Sequence, residues 1–516
     1  MSAYKRRPAS EVNIGGILIG DGHPVAVQSM TNTPTMDTTA SVAQILRIAE
    51  AGADIVRLTA QTPAHSRNLG EIRKGVRAAG CTIPLVADIH FNPAAAFAAA
   101  EEVEKVRINP GNFVDPGRTF VKLEYTDEEY AAELQRIRDK FVPFLDLCRT
   151  RGVAIRIGVN HGSLSDRIMS RYGDTPAGMV ESALEFLRIC RDEDFKDVVI
   201  SIKASNVVVM TETVRLLDRK MAEEGMCYPL HLGVTEAGDG EDARVKSAVG
   251  IGSLLADGIG DTIRVSLSED PECEIPVARA ILRHIDARRD NPLDGISDED
   301  ISLPEAGEVP QVLGYDRPLD TDEYEYVVAQ YPRVIDMAVK GLSQVKGDKP
   351  VAVFVHYPAE MTPDEVQIAA SVDLGYLLLK YPLGAIAIEA GAMPREALSS
   401  LALNILQATR KRISKTEYIA CPSCGRTLFD LQKTLAEVKA ATKALKGLKI
   451  GVMGCIVNGP GEMADADYGY VGAGPGRVSL YRGKECVEKN IHAAEALPRL
   501  INLIKSDGRW PDEADA

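Results

Sequence analysis

The chain has 516 residues, of which 45% are hydrophobic and 26% are charged. These proportions are typical of globular domains and exclude a wholly disordered, collagen-like or fibrous protein. Acidic residues outnumber Lys and Arg by 74 to 59, for a formal net charge of −15. This balance argues against a broadly basic surface for nucleic acid or anionic lipid, and it leaves room for a local cationic pocket.

The sequence lacks the segments that direct a chain into or across a membrane. No apolar run approaches the roughly 20 residues that span a bilayer. The charged N-terminal stretch MSAYKRRPAS is not followed by an apolar segment of the kind found in signal peptides. Nine cysteines, an odd number spread thinly, do not resemble a secreted disulfide framework. We therefore expect a soluble cytoplasmic protein.

The first 290 residues repeat one pattern, in which a β-branched run is followed by a polar turn and an amphipathic helical stretch. The eight runs predicted as strands are residues 24–30, 53–59, 84–90, 104–110, 154–160, 198–204, 229–235 and 261–267. The clearest helical patterns between them are residues 40–51, 66–79, 128–149 and 177–191. Such alternation predicts parallel strands with crossover helices. A doubly wound open sheet is the alternative, but eight units favour an α/β fold of the (β/α)₈ TIM-barrel type.

The rest of the chain divides by composition. After a substrate-binding barrel over residues 1–289, residues 290–326 contain twelve acidic residues and one basic residue, Arg317, and are predicted to be an acidic linker. Residues 327–410 are predicted to form a small α/β insert, with strands at 351–357 and 383–390 and helices near 327–345 and 396–412. Residues 411–516 are predicted to form a third, α+β domain that ends in the helix-like stretch KNIHAAEALPRLINLIK.

Polar side chains recur at the ends of the predicted strands. Residues two apart on a strand share a face, so side chains such as Arg57 and Thr59 are expected to point to the same side. The C-terminal end of a TIM barrel carries the active site. Five cations occupy such positions, namely Arg57, Arg107, Arg156, Lys203 and Arg264. Because guanidinium groups match phosphate oxygens in two-point contacts, this set predicts an anion site that could hold a diphosphate.

Each of these cations, taken singly, could instead belong to a structural ion pair with Asp54, Asp88 or Glu236. Asp88 and Glu236 are the acidic residues nearest the predicted mouth, where they either transfer protons or orient the arginines. His90 and His161 also follow strand ends, and we interpret both as hydrogen-bonded structural residues. The occurrence of five cations at the same end of successive strands favours the anion site.

A second motif lies near the C-terminus. Cys421 and Cys424 form CPSCGR, and Cys455 follows in GCIVNGPGE. A C-x-x-C turn can present both thiolates to a metal. Zinc, which usually takes four Cys or His ligands, and a redox disulfide are the alternatives to an iron–sulfur cluster. Three thiolates fit a [4Fe–4S] cluster with one iron not held by sulfur, and Glu462 is the candidate fourth ligand. The other cysteines before this motif are predicted to be buried packing residues, namely Cys81, Cys148, Cys190, Cys227 and Cys273.

These motifs together resemble the 4-hydroxy-3-methylbut-2-enyl diphosphate synthases of the methylerythritol phosphate route to isoprenoids. The resemblance is carried by PVAVQSMTNTPTMDT, PLVADIHF, VRINPGN, RIGVNHGSL, LGVTEAG and GDTIRVSLS at the N-terminus, and by ACPSCGRTLFDLQ and GCIVNGPGEMADADYG at the C-terminus. It covers about residues 1–285 and 400–505. The longer, plant-like form of this family carries an extra domain between these parts, and the segment 290–400 occupies that position in a shorter form.

The resemblance implies an iron–sulfur oxidoreductase that reductively opens the ring of 2-C-methyl-D-erythritol 2,4-cyclodiphosphate, with loss of the C3 hydroxyl as water. It implies two electrons from ferredoxin or flavodoxin, one [4Fe–4S] cluster per subunit and a homodimer. The cluster ligands would be Cys421, Cys424, Cys455 and Glu462, with Glu462 displaced by a substrate oxygen. The implied diphosphate ligands are Arg57, Arg107, Arg156, Lys203, Arg264 and Ser266, with Asn109 and Asn160 nearby. Asp88, Glu236 and Asn458 would face the reacting carbon.

Two other functions fit parts of the sequence. One is a pterin- or phosphate-binding barrel of the dihydropteroate synthase type with a zinc-bound accessory domain. The other is a non-enzymatic zinc ribbon or electron-carrier module that docks a partner. Iron content separates both from the iron–sulfur enzyme, because a colourless protein with stoichiometric zinc contains no cluster.

Overall fold

The computed structural model describes residues 5–114, 124–293, 301–307, 309–391, 393–456, 459–463 and 465–510. The chain divides into two compact units. The first comprises the described residues of Pro8–Gly238, Gly260–Pro276 and Thr416–Ala516. The second comprises those of Met1–Arg7, Asp239–Ile259 and Val277–Lys415. Within the described residues, none of the helices combines the length and apolar character needed to cross a lipid bilayer.

The first unit begins with an antiparallel hairpin of two three-residue strands, β1 (Val12–Ile14) and β2 (Ile17–Ile19). Gly15 and Gly16 form its turn with positive φ angles of 57° and 98°, a conformation that glycine adopts without steric cost. The buried side chains of the hairpin pack against residues at the starts of barrel strands, including Ile55 and Val199. The hairpin therefore covers the N-terminal end of the barrel with apolar surface, a feature that the sequence analysis did not predict.

The eight predicted strands form one parallel sheet. They are β3 (Ala26–Met30), β4 (Ile55–Ala60), β5 (Leu85–Ile89), β6 (Lys105–Ile108), β7 (Ala154–Asn160), β8 (Val198–Lys203), β9 (His231–Leu232) and β10 (Thr262–Ile263). Their order is β8-β7-β6-β5-β4-β3-β10-β9. A bridge between Ile200 on β8 and Leu230, just before β9, joins the two ends of this order. The sheet is therefore a nearly closed barrel, and the prediction of a TIM barrel over an open sheet is confirmed.

Helices follow the strands as the alternation predicts. They are α1 (Thr38–Glu50), α2 (Pro63–Ala78), α3 (Pro93–Ala100), α4 (Pro110–Phe113), α5 (Asp127–Arg151), α6 (Asp166–Tyr172), α7 (Pro176–Asp192), α8 (Val207–Glu223), α9 (Gly240–Ala256) and α10 (Glu274–Arg289). Polar caps fix several of their starts. Thr126 and Glu129 form a reciprocal capping box at α5, which satisfies two backbone N–H groups that the first turn leaves free.

The second unit contains α9, most of α10 and a four-stranded parallel sheet in the order β11-β14-β13-β12. Its strands are β11 (Gln311–Val312), β12 (Glu325–Gln330), β13 (Val351–Tyr357) and β14 (Ala385–Ala390), and its further helices are α11 (Val334–Leu342), α12 (Pro363–Lys380) and α13 (Arg395–Ala408). Buried ion pairs hold α10 in this unit. Arg288 binds Asp336 at 2.7 Å, and His284 lies 2.8 Å from Asp373.

The structure differs from the sequence prediction at the start of this insert. The strand β11 lies inside the predicted linker 290–326, where Asp316 accepts a 3.0 Å hydrogen bond from Arg412. Residues 327–330, predicted as helix, belong to the strand β12. Along β12 burial alternates, with Val327 and Ala329 buried and Val328 exposed, which is the period of a strand and not of a helix. Residues 294–300 and 308 of the predicted linker lie outside the described residues.

The C-terminal part of the first unit is a five-stranded mixed sheet, in agreement with the predicted α+β class. Its strands are β15 (Glu417–Ala420), β16 (Lys449–Met453), β17 (Tyr468–Gly474), β18 (Arg477–Arg482) and β19 (Glu485–His492), and its helices are α14 (Leu431–Thr442), α15 (Gly459–Glu462) and α16 (Ala493–Ser506). The strands β15, β16 and β17 are parallel, whereas β18 and β19 are antiparallel. The residues KNIH, predicted as helix, end the strand β19, and α16 begins after them.

Candidate active site

The parallel register of the barrel brings the predicted polar residues to one end. Asp88 on β5 pairs with Arg107 on β6, and Arg107 pairs with Arg156 on β7. Asn160 at the end of β7 pairs with Lys203 at the end of β8. Residues that pair in this way point to the same side of the sheet, so the strand sequences themselves place these side chains inside the barrel mouth.

A cavity lies at this mouth, within the first unit. Barrel side chains and two loops of the C-terminal domain line it together. The lining residues are Met30, Arg57, Asp88, His90, Arg107, Arg156, Asn160, Lys203, Thr235, Glu236, Arg264, Ser266, Cys421, Pro422, Ser423, Cys424, Arg426, Thr427, Met453, Cys455 and Gly459. The cations predicted to hold an anion and the three cysteines predicted to hold a metal therefore share one cavity.

Two of the buried arginines have carboxylate partners. Arg107 binds Asp88 at 3.0 Å and also donates to the Asn160 side-chain oxygen at 2.6 Å. Arg264 binds both oxygens of Glu274, at 3.0 and 2.8 Å. Burial opposes the charged form of Arg264, but the Glu274 carboxylate outweighs it and raises the pKa of Arg264. Arg107 and Arg264 therefore line the cavity and are also members of structural ion pairs, the alternative that the sequence left open.

Three other cations have no such partner. Within the described residues, neither Arg57, Arg156 nor Lys203 forms an ion pair with a carboxylate. Arg57 donates only to the sulfur of Met30, at 2.9 and 3.1 Å, and two nitrogens of Arg156, Nε and Nη1, are buried without a hydrogen bond among the described residues. Burial and the neighbouring guanidinium groups, partly opposed by the more distant Asp88 carboxylate, lower the pKa of Arg57 to about 10 and hold that of Arg156 well below its ordinary value. Burial and the same cations hold the pKa of Lys203 well below its ordinary value. An anion in the cavity would relieve this repulsion.

Glu462 of the C-terminal domain lies against the barrel. Its carboxylate accepts hydrogen bonds from the Asn160 side-chain amide and, at 3.0 Å, from the Thr235 hydroxyl. Its backbone oxygen accepts from Ser205 at 3.0 Å. Glu236 neighbours this carboxylate, and burial together with the charge of Glu462 raises the pKa of Glu236 well above its ordinary value. This environment therefore favours the protonated form of Glu236.

His90 and Asp88 form a buried set with Arg107. His90 lies within hydrogen-bonding distance of Arg107 and 3.5 Å from Asp88. Burial and the Arg107 charge lower the pKa of His90 to about 3, so its ring is neutral at pH 7. Although burial raises the pKa of Asp88, Arg57 and Arg107 outweigh it and hold that pKa well below its ordinary value. The cavity thus presents an ionised carboxylate and a neutral imidazole side by side.

The cysteines meet because the two strands before them are parallel neighbours. The strand β15 leads into Cys421, and β16 leads into Cys455, with Ala420 paired to Val452. Since the ends of parallel strands lie at the same sheet edge, the two loops face each other. The Gly454 amide donates to the Cys421 sulfur at 3.2 Å. No disulfide joins Cys421, Cys424 or Cys455 to one another in this structure.

The three cysteines are of the residue type that holds an iron–sulfur cluster. Among the described residues, no three Cys, His, Asp or Glu side chains are placed to chelate one ion. Cysteines that bind a [4Fe–4S] cluster each hold a different iron, so they converge on a shared space and not on a point. Three cysteines that line one cavity, with a backbone amide donating to one sulfur, are the donor set that such a cluster takes.

One glycine contact fixes how closely the C-terminal domain approaches the barrel. A Cβ atom added to Gly162 would lie 2.2 Å from the backbone carbon of Gly461, and one added to Gly461 would lie 2.5 Å from the Gly162 oxygen. Both distances are far inside van der Waals contact, and neither backbone can yield as a flexible side chain would. Only glycine at both positions permits the approach that brings Glu462 to Asn160.

Known proteins share both the barrel and the C-terminal domain of this chain. A family profile described as the GcpE TIM-barrel domain matches residues 9–279, and one described as the GcpE protein C-terminal domain matches residues 417–506. A 4-hydroxy-3-methylbut-2-en-1-yl diphosphate synthase (flavodoxin) from Bacteroides fragilis is 50% identical, and the alignment covers 99% of this chain and 98% of that protein. The chain belongs to the 4-hydroxy-3-methylbut-2-enyl diphosphate synthase family.

Other members of this family are similar over their whole length. The synthase (flavodoxin) of Parabacteroides distasonis is 50% identical over 98% of this chain and 99% of its own, and that of Akkermansia muciniphila is 44% identical over 99% and 98%. The Bacteroides fragilis alignment extends over 617 positions, about a hundred more than the 516 residues of this chain. That relative therefore carries segments that this chain lacks. The dihydropteroate-synthase-like alternative is not favoured.

The structure brings most, but not all, of the predicted residues to the cavity. Asn109 instead caps α4 by accepting from the Gly111 amide at 3.0 Å and donates to Ser163 at 2.7 Å. Glu462 reaches the barrel through Asn160 and Thr235 and is not among the lining residues. Asn458 lies outside the described residues. His161 faces Asp174 at 3.3 Å, as expected of a structural histidine, whereas His90 lines the cavity.

The sequence analysis missed Arg426, Thr235, Met30 and the place of His90 in the cavity wall. Arg426 follows the C-x-x-C motif by two residues, and that proximity to a predicted metal loop was the available signal. Its pKa is raised despite burial because Cys424 and Asp88 lie close to it. The prediction that the five earlier cysteines are buried holds for Cys148 and Cys190 and is wrong for Cys227 and Cys273, which are exposed, while Cys81 is partly buried. Cys273 ends a short 3-10 helix, and Cys227 lies in the irregular stretch before β9.

Proposed function

We propose that the protein catalyses the reductive ring opening of 2-C-methyl-D-erythritol 2,4-cyclodiphosphate to 4-hydroxy-3-methylbut-2-enyl diphosphate, with loss of the C3 hydroxyl as water. The observation that carries this proposal is the single cavity in which unpaired buried cations face three cysteine thiols. A cyclic diphosphate supplies the anion that the cations lack. A dehydrating two-electron reduction needs the redox centre that the thiols can hold.

The unpaired cations bind the diphosphate. Arg57, Arg156 and Lys203 are already desolvated, so an anion gains their charge without a further cost of removing water from them. Ser266 lines the same wall and adds a hydroxyl donor. The paired arginines, Arg107 and Arg264, are held in fixed positions by Asp88 and Glu274, and they complete the cradle with less freedom to move.

Two carboxyl groups face the substrate. Asp88 is committed to Arg107 and orients it. The Oε2 atom of Glu236 is buried without a hydrogen bond among the described residues, so it is available to contact a substrate hydroxyl. Asn160 connects the two halves of the site, because it accepts from Arg107 and donates to Glu462. The role of Asn458 as a polar group facing the reacting carbon stays a prediction from the sequence.

Cys421, Cys424 and Cys455 would hold a [4Fe–4S] cluster, with Glu462 as a fourth and exchangeable ligand. When bound, such a cluster supplies single electrons and a Lewis-acidic iron. The residues around it exclude water. The C-terminal domain contacts the barrel through the Ser268 hydroxyl, which donates to the Cys421 carbonyl at 2.9 Å, and through a bridge between Ala237 and Ala420. These contacts close the cavity over the substrate within one chain.

We propose flavodoxin as the electron donor, with ferredoxin as the alternative. The relatives' names specify flavodoxin, which supports the first choice. Turnover with each reduced donor offered separately tests it, and a rate with ferredoxin that exceeds the rate with flavodoxin would reverse the assignment. The resemblance to the family also supports a homodimer in the cytoplasm. Light scattering in solution would show twice the 55.7 kDa chain mass for the dimer.

The decisive experiment replaces one thiol. Cys455→Ser, purified without oxygen, should lose most of its iron and all of its turnover, because a hydroxyl is a poor iron ligand. Cys486→Ser is the matched control, since Cys486 lies in the strand β19 and not in the cavity wall. We expect the control to retain about four irons per chain, absorbance near 400 nm and turnover. A colourless native protein with one zinc per chain, or a Cys455→Ser variant with native turnover, would refute the proposal.

A further inference from the structure

The barrel core beneath the cavity contains a cation that the proposed mechanism does not use. Lys105 is the first residue of β6, and none of its surface is exposed to solvent. Lys105 shares the inward face of this strand with Arg107, two residues further on. At about 3.3 Å per residue, its Cα lies about 7 Å deeper in the barrel than that of Arg107. The interior of a TIM barrel is ordinarily filled by bulky apolar side chains.

The amine of Lys105 has no hydrogen-bond or ion-pair partner in the part of the chain that the structure describes. Its Nζ atom is fully buried without a hydrogen bond among the described residues. The charges that act on it are those of Arg156 and Arg57, both of the same sign. Burial and these two neighbours hold the pKa of Lys105 well below its ordinary value. Burying an amine beside two guanidinium groups disfavours its charged form in the empty barrel, so a contribution to folding does not explain the presence of Lys105.

Other polar groups of the barrel strands are also incompletely bonded. Both side-chain polar atoms of Gln28, the Ser201 hydroxyl and the Nε2 atom of His231 are buried without hydrogen bonds among the described residues. His231 is neutral, because burial and the charges of Arg156, Lys203 and Lys105 hold its pKa well below its ordinary value. None of these side chains brings a negative charge. An anion that enters the cavity above would supply the counter-charge that favours the charged form of Lys105.

We propose that Lys105 is a positioning residue that strengthens diphosphate binding by its charge from beneath the cavity, without belonging to the cavity wall. This inference rests on the proposed function, because it takes the substrate to be a diphosphate. A diphosphate held by Arg57 and Arg156 lies near a buried ammonium group with little solvent to screen their attraction. The substrate supplies the counter-charge that the protein omits, and the cost of the unpaired cation in the empty barrel is offset when the substrate binds.

Removing the charge of Lys105 should weaken diphosphate binding without lowering the stability of the protein. Lys105→Met keeps the unbranched apolar stem and removes the charge. We expect this variant to bind inorganic diphosphate at least tenfold more weakly by isothermal titration calorimetry, with a thermal unfolding midpoint equal to or above that of the native enzyme. Lys105→Gln, which is neutral and polar, should show the same loss of affinity and serves if the methionine variant does not fold. Ser201→Ala removes a neutral buried group from the same interior and should leave diphosphate affinity unchanged.

Two results would overturn the role of Lys105. One is native diphosphate affinity in both neutral variants, and the other is a loss of affinity accompanied by a lowered unfolding midpoint, which marks a structural residue. The wild-type holoenzyme is assayed in parallel on 2-C-methyl-D-erythritol 2,4-cyclodiphosphate. If the wild type fails to turn over this substrate, the proposed function is wrong whatever the variants do. If the wild type turns it over and the variants bind as tightly, only the role of Lys105 is wrong.

Discussion

The buried cations at the barrel mouth fall into two groups that differ in what surrounds them. Arg107 and Arg264 are each held by a carboxylate within 3.0 Å. Arg57, Arg156 and Lys203 lie in the same cavity wall, equally buried, and no carboxylate within the described residues pairs with them. All five come from strand ends of one sheet and looked equivalent in the sequence.

The difference separates residues that shape the site from residues that bind in it. A paired arginine has its charge neutralised before the substrate arrives, so its main contribution is a fixed geometry. An unpaired arginine contributes its whole charge to the incoming anion, at a cost to the empty protein. The two groups should therefore respond differently to mutation. Breaking a paired charge should lower the stability of the fold, whereas removing an unpaired charge should weaken diphosphate binding.

The largest effect should come from breaking the strongest pair. Glu274 is buried, binds Arg264 through both oxygens and accepts from the Ser29 hydroxyl at 2.7 Å. Glu274→Gln leaves the Arg264 charge buried without compensation, which should lower the free energy of unfolding by about 3–5 kcal/mol. Chemical denaturation followed by circular dichroism measures this loss.

Glu272→Gln provides the matched control for Glu274. Glu272 precedes the same helix and pairs with Arg47 in a partly exposed ion pair, whose arginine is 56% exposed. Pairs of this kind contribute about 0–1 kcal/mol, so the control should be nearly neutral. If both variants were destabilised equally, the buried pair would contribute no more to stability than the exposed one. The paired cations could then not be separated from the unpaired ones by their effect on folding.

The next effect is on binding. Arg156→Met removes a cation that has no carboxylate partner, so it should weaken diphosphate affinity by about 100-fold, or about 2.7 kcal/mol at 1.36 kcal/mol per factor of ten. The free energy of unfolding should not fall, because no buried acid loses its partner. Titration calorimetry with inorganic diphosphate and denaturation of the same sample measure both quantities. A variant that unfolds as easily as Glu274→Gln would place Arg156 in the paired group.

The sequence predicted the positions of these cations better than their pairing. The strand β7 occupies residues 154–160 as predicted, and strand periodicity together with parallel pairing suffices to bring Arg107, Arg156 and Lys203 to one end. The partner of Arg264, in contrast, lies ten residues along the chain at the start of α10. Which acid reaches which arginine depends on how that helix packs, and neither spacing nor composition encodes it.

The dependence on packing between distant segments also explains the other features that the sequence did not predict. The hairpin β1–β2 has strands of three residues, too short for a periodicity to be recognised, and its stability comes from packing on the barrel. Lys105 stands in a predicted strand, but its burial without a partner appears only once β6 is closed into a barrel. Arg426 was next to a recognised motif, yet its approach to Asp88 requires the C-terminal domain and the barrel to be in contact.

Arg426 lies between the paired and the unpaired cations, because its only carboxylate neighbour among the described residues is at the outer limit of an ion pair. Its guanidinium lies 3.9 Å from Asp88, which already pairs with Arg107, and its Nε and Nη1 atoms are buried without hydrogen bonds among the described residues. Because its pairing is partial, Arg426→Gln should lower both properties slightly. We expect about tenfold weaker diphosphate binding, or about 1.4 kcal/mol, and a smaller loss of unfolding free energy than in Glu274→Gln, because Asp88 keeps Arg107 as its partner.

Arg426→Lys keeps the charge and loses the planar fork, so it separates charge from geometry at this position. If charge alone matters, the lysine variant should bind diphosphate almost as tightly as the native enzyme. If the fork is needed to reach both Asp88 and the anion, the lysine and glutamine variants should be equally weak. Native affinity in the glutamine variant would show that Arg426 does not contribute to the cradle, and that the cavity's anion site is built by the barrel alone.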